Sequence, residues 1–347
     1  MRLAVANGNE APDLRSPLLE APPALAVLAG GKLTLFNNGG SAPVGPVAVP
    51  GTKPMAVTEF EWSADGRYLG WQQGFPTSEK SVAGWYDTVT HRRTSWAFQY
   101  QYPQGWSVSR SGLASLVAGE NLGSPSTLTR YGIDGLVTHQ LVHVPIGDYV
   151  AGYSGGFIMG PDIVTGTRLW RISLSGSVSK LQALPKPATN GPPYETTAVS
   201  ADGKTFAAEL GDHTDGCGIG PASRIFLMDL ATGTTRQASL PGGPRWRALS
   251  FVFGPDGTLD ATLVDCTQKA KMSTTVIWVS PSGSVTAVKH GALVATAAGG
   301  NLAYQAGGIH LGGTEAPELD EVATGPLTVD ARPVPGVAGA AAASWAP

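Results

Sequence analysis

The chain has 347 residues, of which 46 are glycine and 27 proline, and its 23 Lys and Arg against 26 Asp and Glu give a net charge of −3. An apolar content of 42%, with nine tryptophans, is far above that of a disordered chain and predicts a sizeable packed core. The near-neutral charge, without a run of Lys or Arg, argues against nucleic acid as a partner. No apolar stretch reaches the roughly 18 to 20 residues that a membrane helix needs, so no membrane insertion is expected.

The first residues predict a tether that leads into a domain. Residues 7–23 (NGNEAPDLRSPLLEAPP) are polar and contain four prolines, which is the composition of a linker. We therefore expect residues 1–23 to form an extended segment and residues 24–347 to form a single domain. The start lacks the apolar core of a signal peptide. This leaves a cytoplasmic protein or an exported chain whose leader or anchor is absent, and we favour the exported chain.

A polar turn between two strand-like segments recurs at a nearly constant spacing. The clearest copies are residues 62–69, 108–113, 152–157, 199–206 and 253–259. The residues at the position of Ser63 are numbers 63, 109, 154, 200 and 254, so the steps are 46, 45, 46 and 54 residues. Gly follows Asp or Ser in several of these turns. Because Gly accepts positive φ without strain, such pairs favour tight hairpins.

Each period contains a second hairpin, most clearly at residues 169–178, 224–235 and 276–285. Two hairpins per period make four strands, and no amphipathic helical stretch lies between them. Four-stranded units that repeat every 45 residues or so are typical of a β-propeller, whose blades pack around a central channel. A sandwich or a barrel would not show this period.

The two ends of the chain predict how the ring closes. Residues 24–49 read as three strands without an innermost strand, whereas residues 343–347 (ASWAP) match residues 60–64 (FEWSA), the end of an innermost strand. We therefore expect the C-terminal strand to join the N-terminal blade, which removes the exposed sheet edges of an open array.

The number of units predicts the number of blades. Units begin near residues 24, 55, 103, 148, 192, 246 and 291. The expected fold is therefore all-β, a seven-bladed β-propeller of four-stranded antiparallel blades. Six blades is the alternative, because the last unit, residues 291–322, is short and weakly patterned.

The blade pattern resembles that of a known family. Residues 62–71 (WSADGRYLGW), together with a later turn such as residues 229–233 (DLATG), resemble the blade motif of TolB-type, WD40-like propellers of bacteria. The resemblance covers nearly the whole chain after residue 23. It implies the propeller fold, an extracytoplasmic location (periplasmic or cell-surface) and the binding of partners through loops at one face.

The two cysteines predict a disulfide. Cys217 and Cys266 each lie in the connection between the second and third strands of a unit, in units five and six. These connections open on the same face of a propeller. We therefore expect a disulfide between the two residues that ties two loops together, as in exported proteins.

Acidic and histidine side chains gather beside the predicted disulfide: Asp212, His213, Asp215 and Asp265. Oxygen ligands on a glycine-rich backbone suit Ca²⁺. The Asp-x-Asp-x-Asp-Gly spacing of a calcium loop is absent, however. A solvated loop is therefore favoured, no cofactor is predicted, and Ca²⁺ is the alternative.

Three further patterns are assigned to structure rather than to catalysis. His139 and His143 lie in a strand, and the sequence identifies no third ligand for a metal between them. Residues 152–156 (GYSGG) occupy a hairpin turn, whereas a nucleophilic serine of this pattern needs a strand-to-helix turn. The aspartates of the repeated turns, such as Asp65 and Asp256, mark hairpins.

The predicted binding site is the face on which the second-to-third-strand loops open. Trp71, Gln73 and Phe75 are assigned to the long loop of unit two, around residues 72–83, and Glu120 to the matching loop of unit three. Loops on a rigid scaffold are where binding residues concentrate. The acidic group beside the cysteines completes this predicted face.

The sequence leaves two functions open. The leading interpretation is a monomeric, non-catalytic propeller that is exported and binds a protein or glycan partner through its loop-rich face. The alternative is a propeller lyase or hydrolase with a cation-assisted site at the channel mouth. Because propellers host both classes, the fold does not decide between them. Three or more converging His, Asp or Glu side chains at the channel mouth would favour the enzyme.

Overall fold

The structure is a computed structural model. It describes residues 24–37, 40–48, 55–74, 80–99, 105–117, 124–144, 150–160, 168–184, 196–210, 224–238, 240, 246–265, 272–298, 301–312, 318–334, 337 and 340–346.

Within these ranges every regular element is a β-strand. Up to residue 183 the strands are β1 (Leu25–Ala29), β2 (Lys32–Asn37), β3 (Gly40–Gly45), β4 (Val57–Trp62), β5 (Tyr68–Gln73), β6 (Lys80–Asp87), β7 (Arg93–Gln99), β8 (Gly105–Ser109), β9 (Gly112–Val117), β10 (Ser126–Gly132), β11 (Val137–Val142), β12 (Val150–Tyr153), β13 (Gly156–Met159), β14 (Arg168–Ser173) and β15 (Val178–Ala183). The later strands are β16 (Thr197–Val199), β17 (Thr205–Leu210), β18 (Arg224–Asp229), β19 (Thr235–Ala238), β20 (Trp246–Phe253), β21 (Leu259–Asp265), β22 (Met272–Val279), β23 (Val285–His290), β24 (Ala292–Ala298), β25 (Asn301–Gly312), β26 (Glu318–Val329), β27 (Arg332–Pro333) and β28 (Ala340–Trp345).

The strands form seven four-stranded antiparallel blades, and the fold is a β-propeller. With the innermost strand first, blades one to seven are β28-β1-β2-β3, β4-β5-β6-β7, β8-β9-β10-β11, β12-β13-β14-β15, β16-β17-β18-β19, β20-β21-β22-β23 and β24-β25-β26-β27. The predicted fold class is therefore confirmed, and the alternative of six blades is wrong.

The C-terminal strand completes the first blade, as the sequence predicted. Strand β28 pairs with β1, and the backbone N–H of Ala346 donates a hydrogen bond to the carbonyl of Ala24 (2.7 Å). The innermost position of blade one is thus filled from the far end of the chain.

Blade seven is longer than the sequence predicted. The expected unit ended at residue 322, whereas β26 continues to Val329 and β27 ends at Pro333. The reason is that β25 and β26 are twelve residues each and pair along most of their length, with a register shift between Gln305 and Gly307. The far end of β25 also pairs with β22, so blades six and seven share one continuous sheet.

The chain divides into two compact units, which are described separately. The first comprises residues 1–181, 201–203 and 345–347 and includes blades two and three. The second comprises residues 182–200 and 204–344 and includes blades six and seven.

In the first unit, blade three shows how a blade is buried on both faces. Leu128 of β10 packs with Phe157 and Ile172 of blade four. Tyr131 of the same strand packs with Trp85 of blade two and with Trp106. Because a strand with a neighbour on each face has few wet positions, charged residues are excluded from most of it. This accounts for the low charge of the whole sequence.

The recurring turn motif is explained by its hydrogen bonds in blade two. The Ser63 hydroxyl donates to Asp65 Oδ1 (2.6 Å), and the same carboxylate oxygen accepts the backbone N–H of Arg67 (3.2 Å). The N–H of Tyr68 donates to Ser63 Oγ (2.9 Å). Gly66 has a φ of +63°, which favours glycine. The prediction that Asp65 serves a hairpin turn is confirmed.

Polar side chains buried in the second strand of four blades connect each blade to the next. A large apolar residue stands at the first or second position of each of these strands, and the polar residue follows it by three positions. Each polar side chain bonds to the innermost strand of the following blade. The four interblade hydrogen bonds join Gln72 Oε1 to Trp106 Nε1 (2.9 Å), Glu209 Oε1 to Ala248 N (2.8 Å), Thr262 Oγ1 to Leu293 O (3.3 Å) and Gln305 Oε1 to Ala340 N (2.9 Å). All four side chains are buried.

Replacing Glu209 tests these interblade hydrogen bonds. Glu209→Leu leaves the N–H of Ala248 unpaired inside the protein, which should lower the free energy of unfolding by about 1–3 kcal/mol. Glu209→Gln keeps an oxygen that can accept this bond and should cost clearly less. Urea unfolding of both variants and the parent measures the difference. Equal losses in the two variants would show that the bond to Ala248 does not matter.

Candidate functional site

Most of the predicted loop-face residues lie outside the described part of the chain. These are Phe75, Glu120, Asp212, His213, Asp215, Cys217 and Cys266. The disulfide, the calcium alternative and the loop-face site therefore stay predictions.

Trp71 and Gln73 lie in strand β5, so their assignment to a loop is wrong. Both are buried, and the Gln73 amide bonds to both backbone groups of Val47. Its Nε2 donates to the Val47 carbonyl (2.6 Å), and its Oε1 accepts the Val47 N–H (2.8 Å). The strands are longer than expected because Gln73 still pairs with Val82 of β6. The two side chains stabilise the blade. Because both are buried, a role for them in binding would be indirect.

Asp265 is the last residue of β21, paired with Trp246 of β20, and is buried. The other three members of the predicted acidic group, Asp212, His213 and Asp215, lie outside the described residues. Within the described ranges, no cluster of three or more His, Cys, Asp or Glu side chains is arranged to hold a metal ion.

A groove of about 380 Å³ lies on blade three, at the end where β8 turns into β9 and β10 turns into β11. We call it the blade-three groove. Its lining includes Ser109, Ser111, Arg130, Asp134, Leu136 and Leu174. The predicted loop-face site lies at the other end of the blade, where β9 leads to β10. Sequence reasoning missed the groove because its polar residues read as ordinary turn residues.

Arg130 is the cation of the blade-three groove, and hydrogen bonds hold its side chain in place. Its Nε donates to the carbonyl of Leu174 (2.5 Å), and its Nη2 donates to Gln140 Oε1 (2.6 Å). Gln140 Nε2 in turn donates to the carbonyl of Ser175 (3.2 Å). Among the described residues, no carboxylate forms an ion pair with Arg130.

Hydroxyl groups and a carboxylate complete the polar wall of the groove. Ser109 Oγ and Ser111 Oγ are 2.9 Å apart and share a hydrogen bond. Asp134 is committed to its own turn, since its Oδ1 accepts the N–H of Leu136 (3.0 Å). The groove therefore offers a fixed guanidinium and rotatable hydroxyls to a ligand.

One exposed aliphatic side chain lines the groove, and two more follow along strand β11 towards the other end of the blade. Leu136, part of its lining, is 62% exposed. Val137 and Leu141 of the adjoining strand β11 are 38% and 63% exposed. Exposed apolar side chains that cluster in this way commonly mark an interaction surface, whereas scattered ones need no explanation.

A second unusual feature is a pair of carboxyl groups on β4, the innermost strand of blade two. The Glu59 side chain as a whole is exposed, whereas protein atoms crowd around its carboxyl group. The lost hydration raises the pKa of Glu59 from 4.5 to about 7, while a hydrogen bond with the Trp106 side chain lowers it by a smaller amount. Burial, and then the charge of Glu59, raise the pKa of Glu61 well above its usual range. A carboxyl whose pKa lies near neutrality, as that of Glu59 does, suits proton transfer.

Sequence reasoning missed Glu59 and Glu61 because the pKa of a carboxyl depends on its surroundings, which the sequence does not show. A sequence signal was nevertheless present. The two glutamates alternate with Phe60 and Trp62, and residues two apart in a strand lie on the same side.

Comparisons with known proteins support the fold. No protein-family profile and no curated protein sequence matches the chain. Among solved structures, TolB from Acinetobacter baumannii is similar over 93% of this chain and 66% of its own, with 14% identity and a TM-score of 0.50. At this identity the similarity shows the fold alone, a β-propeller. This chain spans less than two thirds of the length of that TolB chain.

Two other solved structures are also similar. A mutant of the apocarotenoid oxygenase of Synechocystis matches 77% of this chain and 69% of its own, with 14% identity and a TM-score of 0.46. Hydrazine synthase from Kuenenia stuttgartiensis matches 76% of this chain and 80% of its own, with 15% identity and a TM-score of 0.45.

In the part of this chain that the structure describes, no helix has the length and hydrophobicity to cross a membrane.

The raised pKa of Glu59 predicts how stability depends on pH. Folding raises this pKa from 4.5 to about 7, so the folded protein binds the proton more tightly than the unfolded chain does. The resulting stabilisation is full below pH 4.5 and is lost as the pH rises through about 7. Glu59→Gln should therefore gain stability relative to the parent across this interval. Urea midpoints of both proteins at a series of pH values measure the change, and a difference independent of pH would contradict it.

Proposed function

We propose that the chain is a non-catalytic binding propeller that recognises a protein partner, with the blade-three groove as one contact surface. The observation that carries the proposal is the combination of the Arg130 guanidinium, which hydrogen bonds hold in place and with which no described carboxylate forms an ion pair, with the exposed Leu136 of the groove lining. Protein interfaces join apolar contact with a few charged or hydrogen-bonding anchors, and arginine is frequent among them.

A protein fits this surface better than a glycan does. The exposed large apolar side chains of the described residues are aliphatic: Val89, Leu136, Val137 and Leu141. The aromatic ring nearest the groove, that of Tyr131, is 6% exposed. A sugar ring stacks best on an exposed aromatic face, whereas aliphatic side chains pack against other protein side chains. Of the two partner classes that the sequence left open, the protein is therefore favoured.

We also propose an extracytoplasmic location and a second contact through the loop-rich face. The location rests on the resemblance of the blade motif to TolB-type propellers and on the predicted disulfide between Cys217 and Cys266. The second contact rests on the general concentration of binding residues in loops that a rigid scaffold presents.

Site-specific photo-crosslinking tests the groove. A photoreactive phenylalanine analogue in place of Ser111, which is exposed and lines the groove, should label one protein from the source organism in a saturable way. The same analogue in place of Ser282, an exposed serine in a turn of blade six, is the matched control and should not label it. Adding Leu136→Lys should abolish the labelling, because a lysine cannot pack against the apolar part of the partner.

Two results would overturn the groove as a binding surface. One is equal labelling from Ser111 and Ser282. The other is labelling from Ser111 that Leu136→Lys does not reduce. Circular dichroism and thermal unfolding of each variant check that the fold is retained, so that a loss of labelling reports on the surface alone.

Glu59 and Glu61 favour one second candidate, an enzyme that uses a carboxyl of innermost strand β4 for proton transfer with help from a bound cation. Ca²⁺ or Mg²⁺ held by these carboxyls would lower their pKa values, because a nearby cation favours the ionised form. Carbon-13 NMR titration of the Glu59 carboxyl with and without each cation separates the two functions. A titration near pH 7 that neither cation shifts would weigh against the enzyme.

A further inference from the structure

The outermost strand of a propeller blade is an open sheet edge, which proteins protect with charged side chains or proline. Six of the seven outermost strands in the described structure contain such a residue. The protecting residues are Pro43 in β3, Arg93 in β7, Lys180 in β15, Arg236 in β19, Lys289 in β23, and Arg332 and Pro333 in β27. Strand β11 (VTHQLV) contains no Lys, Arg, Asp, Glu or Pro. The other six blades thus serve as internal controls for blade three.

The exposed side chains of β11 alternate along the strand. Val137, His139 and Leu141 are exposed and lie on one side. Gln140 and Val142 lie on the other side, where Gln140 bonds to blade four and Val142 joins the core that blades three and four share. The exposed side is apolar at both ends.

The backbone of β11 presents unused hydrogen-bonding groups at the same three residues. The N–H of Gly132 donates to the carbonyl of Leu136 (2.8 Å), which fixes the phase of the ladder between β10 and β11. Bonded pairs alternate in an antiparallel ladder. The N–H and C=O groups of Val137, His139 and Leu141 therefore point away from β10. Within the described residues, β11 pairs with β10 alone.

We infer that this edge pairs with β11 of a second copy of the chain, in an antiparallel register centred on His139. A residue at position i then faces the residue at 278 − i, so Val137 faces Leu141 of the second copy and His139 faces its counterpart. In each of the three pairs, the N–H of either residue donates to the C=O of the other, so both backbone hydrogen bonds form. The apolar side chains meet each other on one face, at the distances of cross-strand neighbours.

The absence of charged side chains on β11 explains why this strand pairs with a second copy and why the other outermost strands do not. Self-pairing of the edges that contain Lys or Arg would bring like charges together, and proline would remove a donor. Strand β11 meets its own copy without a Lys, Arg or carboxylate on either side. A single pair of six-residue strands buries less than the roughly 1,200 Å² of a stable interface, so the dimer is weak, with a dissociation constant in the micromolar range or above. This inference departs from the monomer that the sequence predicted.

Sedimentation equilibrium of the whole chain over a range of concentrations tests the inference. The parent should show a reversible monomer–dimer equilibrium. Leu141→Lys should weaken association at least about tenfold, because it places a lysine opposite Val137 of the second copy. Val89→Lys is the matched control. Val89 is also exposed (53%) but lies outside the outermost strands, so this variant should associate like the parent.

Protection of the backbone amides of β11 tests the inference independently of the side-chain variants. Hydrogen exchange followed by NMR should show that the amides of Val137, His139 and Leu141 become protected as the concentration rises. A chain that stays monomeric at millimolar concentration would overturn the inference. So would a dimer that Leu141→Lys and Val89→Lys weaken equally, or one in which these three amides gain no protection. None of these outcomes bears on the crosslink from Ser111, so the inference and the proposed function fail separately.

Discussion

The structure depends on hydrogen bonds that join a buried polar side chain in one blade to the innermost strand of the next. A blade packed between two neighbours cannot leave backbone donors unpaired, because each buried, unsatisfied group costs a large part of the net stability. Gln72, Glu209, Thr262 and Gln305 occupy equivalent positions and bond across to the next blade. Blade three has Leu116 at this position, and its hydrogen bonds to blade four come instead from Ser107, Arg130 and Gln140. Polar bonds of this kind also fix how neighbouring blades align.

The same burial decides which parts of the fold the sequence could predict. The hairpin turns were predictable because Ser63, Asp65 and Gly66 each have a local task that fixes the residue type. Closure by the C-terminal strand followed from a missing strand at one end and a matching segment at the other. The bounds of β5 were not predictable, because Trp71 and Gln73 look like loop residues until their contacts with neighbouring strands are known.

Chemistry was harder to predict than fold because it depends on distances between strands far apart in the chain. The pKa of Glu59 is raised by surroundings that no local pattern reveals. Arg130 belongs to a candidate site because blade four supplies the carbonyl of Leu174 that holds its side chain. Blade three thus combines a polar groove at one end with an uncharged outer edge, β11. Both features lie on a scaffold that packs against a neighbouring blade on either face.

Amide hydrogen exchange at Ala248 and Ala340 tests the role of the interblade hydrogen bonds most directly. Both N–H groups donate to a side chain of the preceding blade, Glu209 or Gln305. If these bonds hold the blades together, both amides exchange only through global unfolding, as slowly as the slowest amides of the protein. Exchange as fast as that of the hairpin turns would show that the blades separate locally and that these bonds do not hold them together.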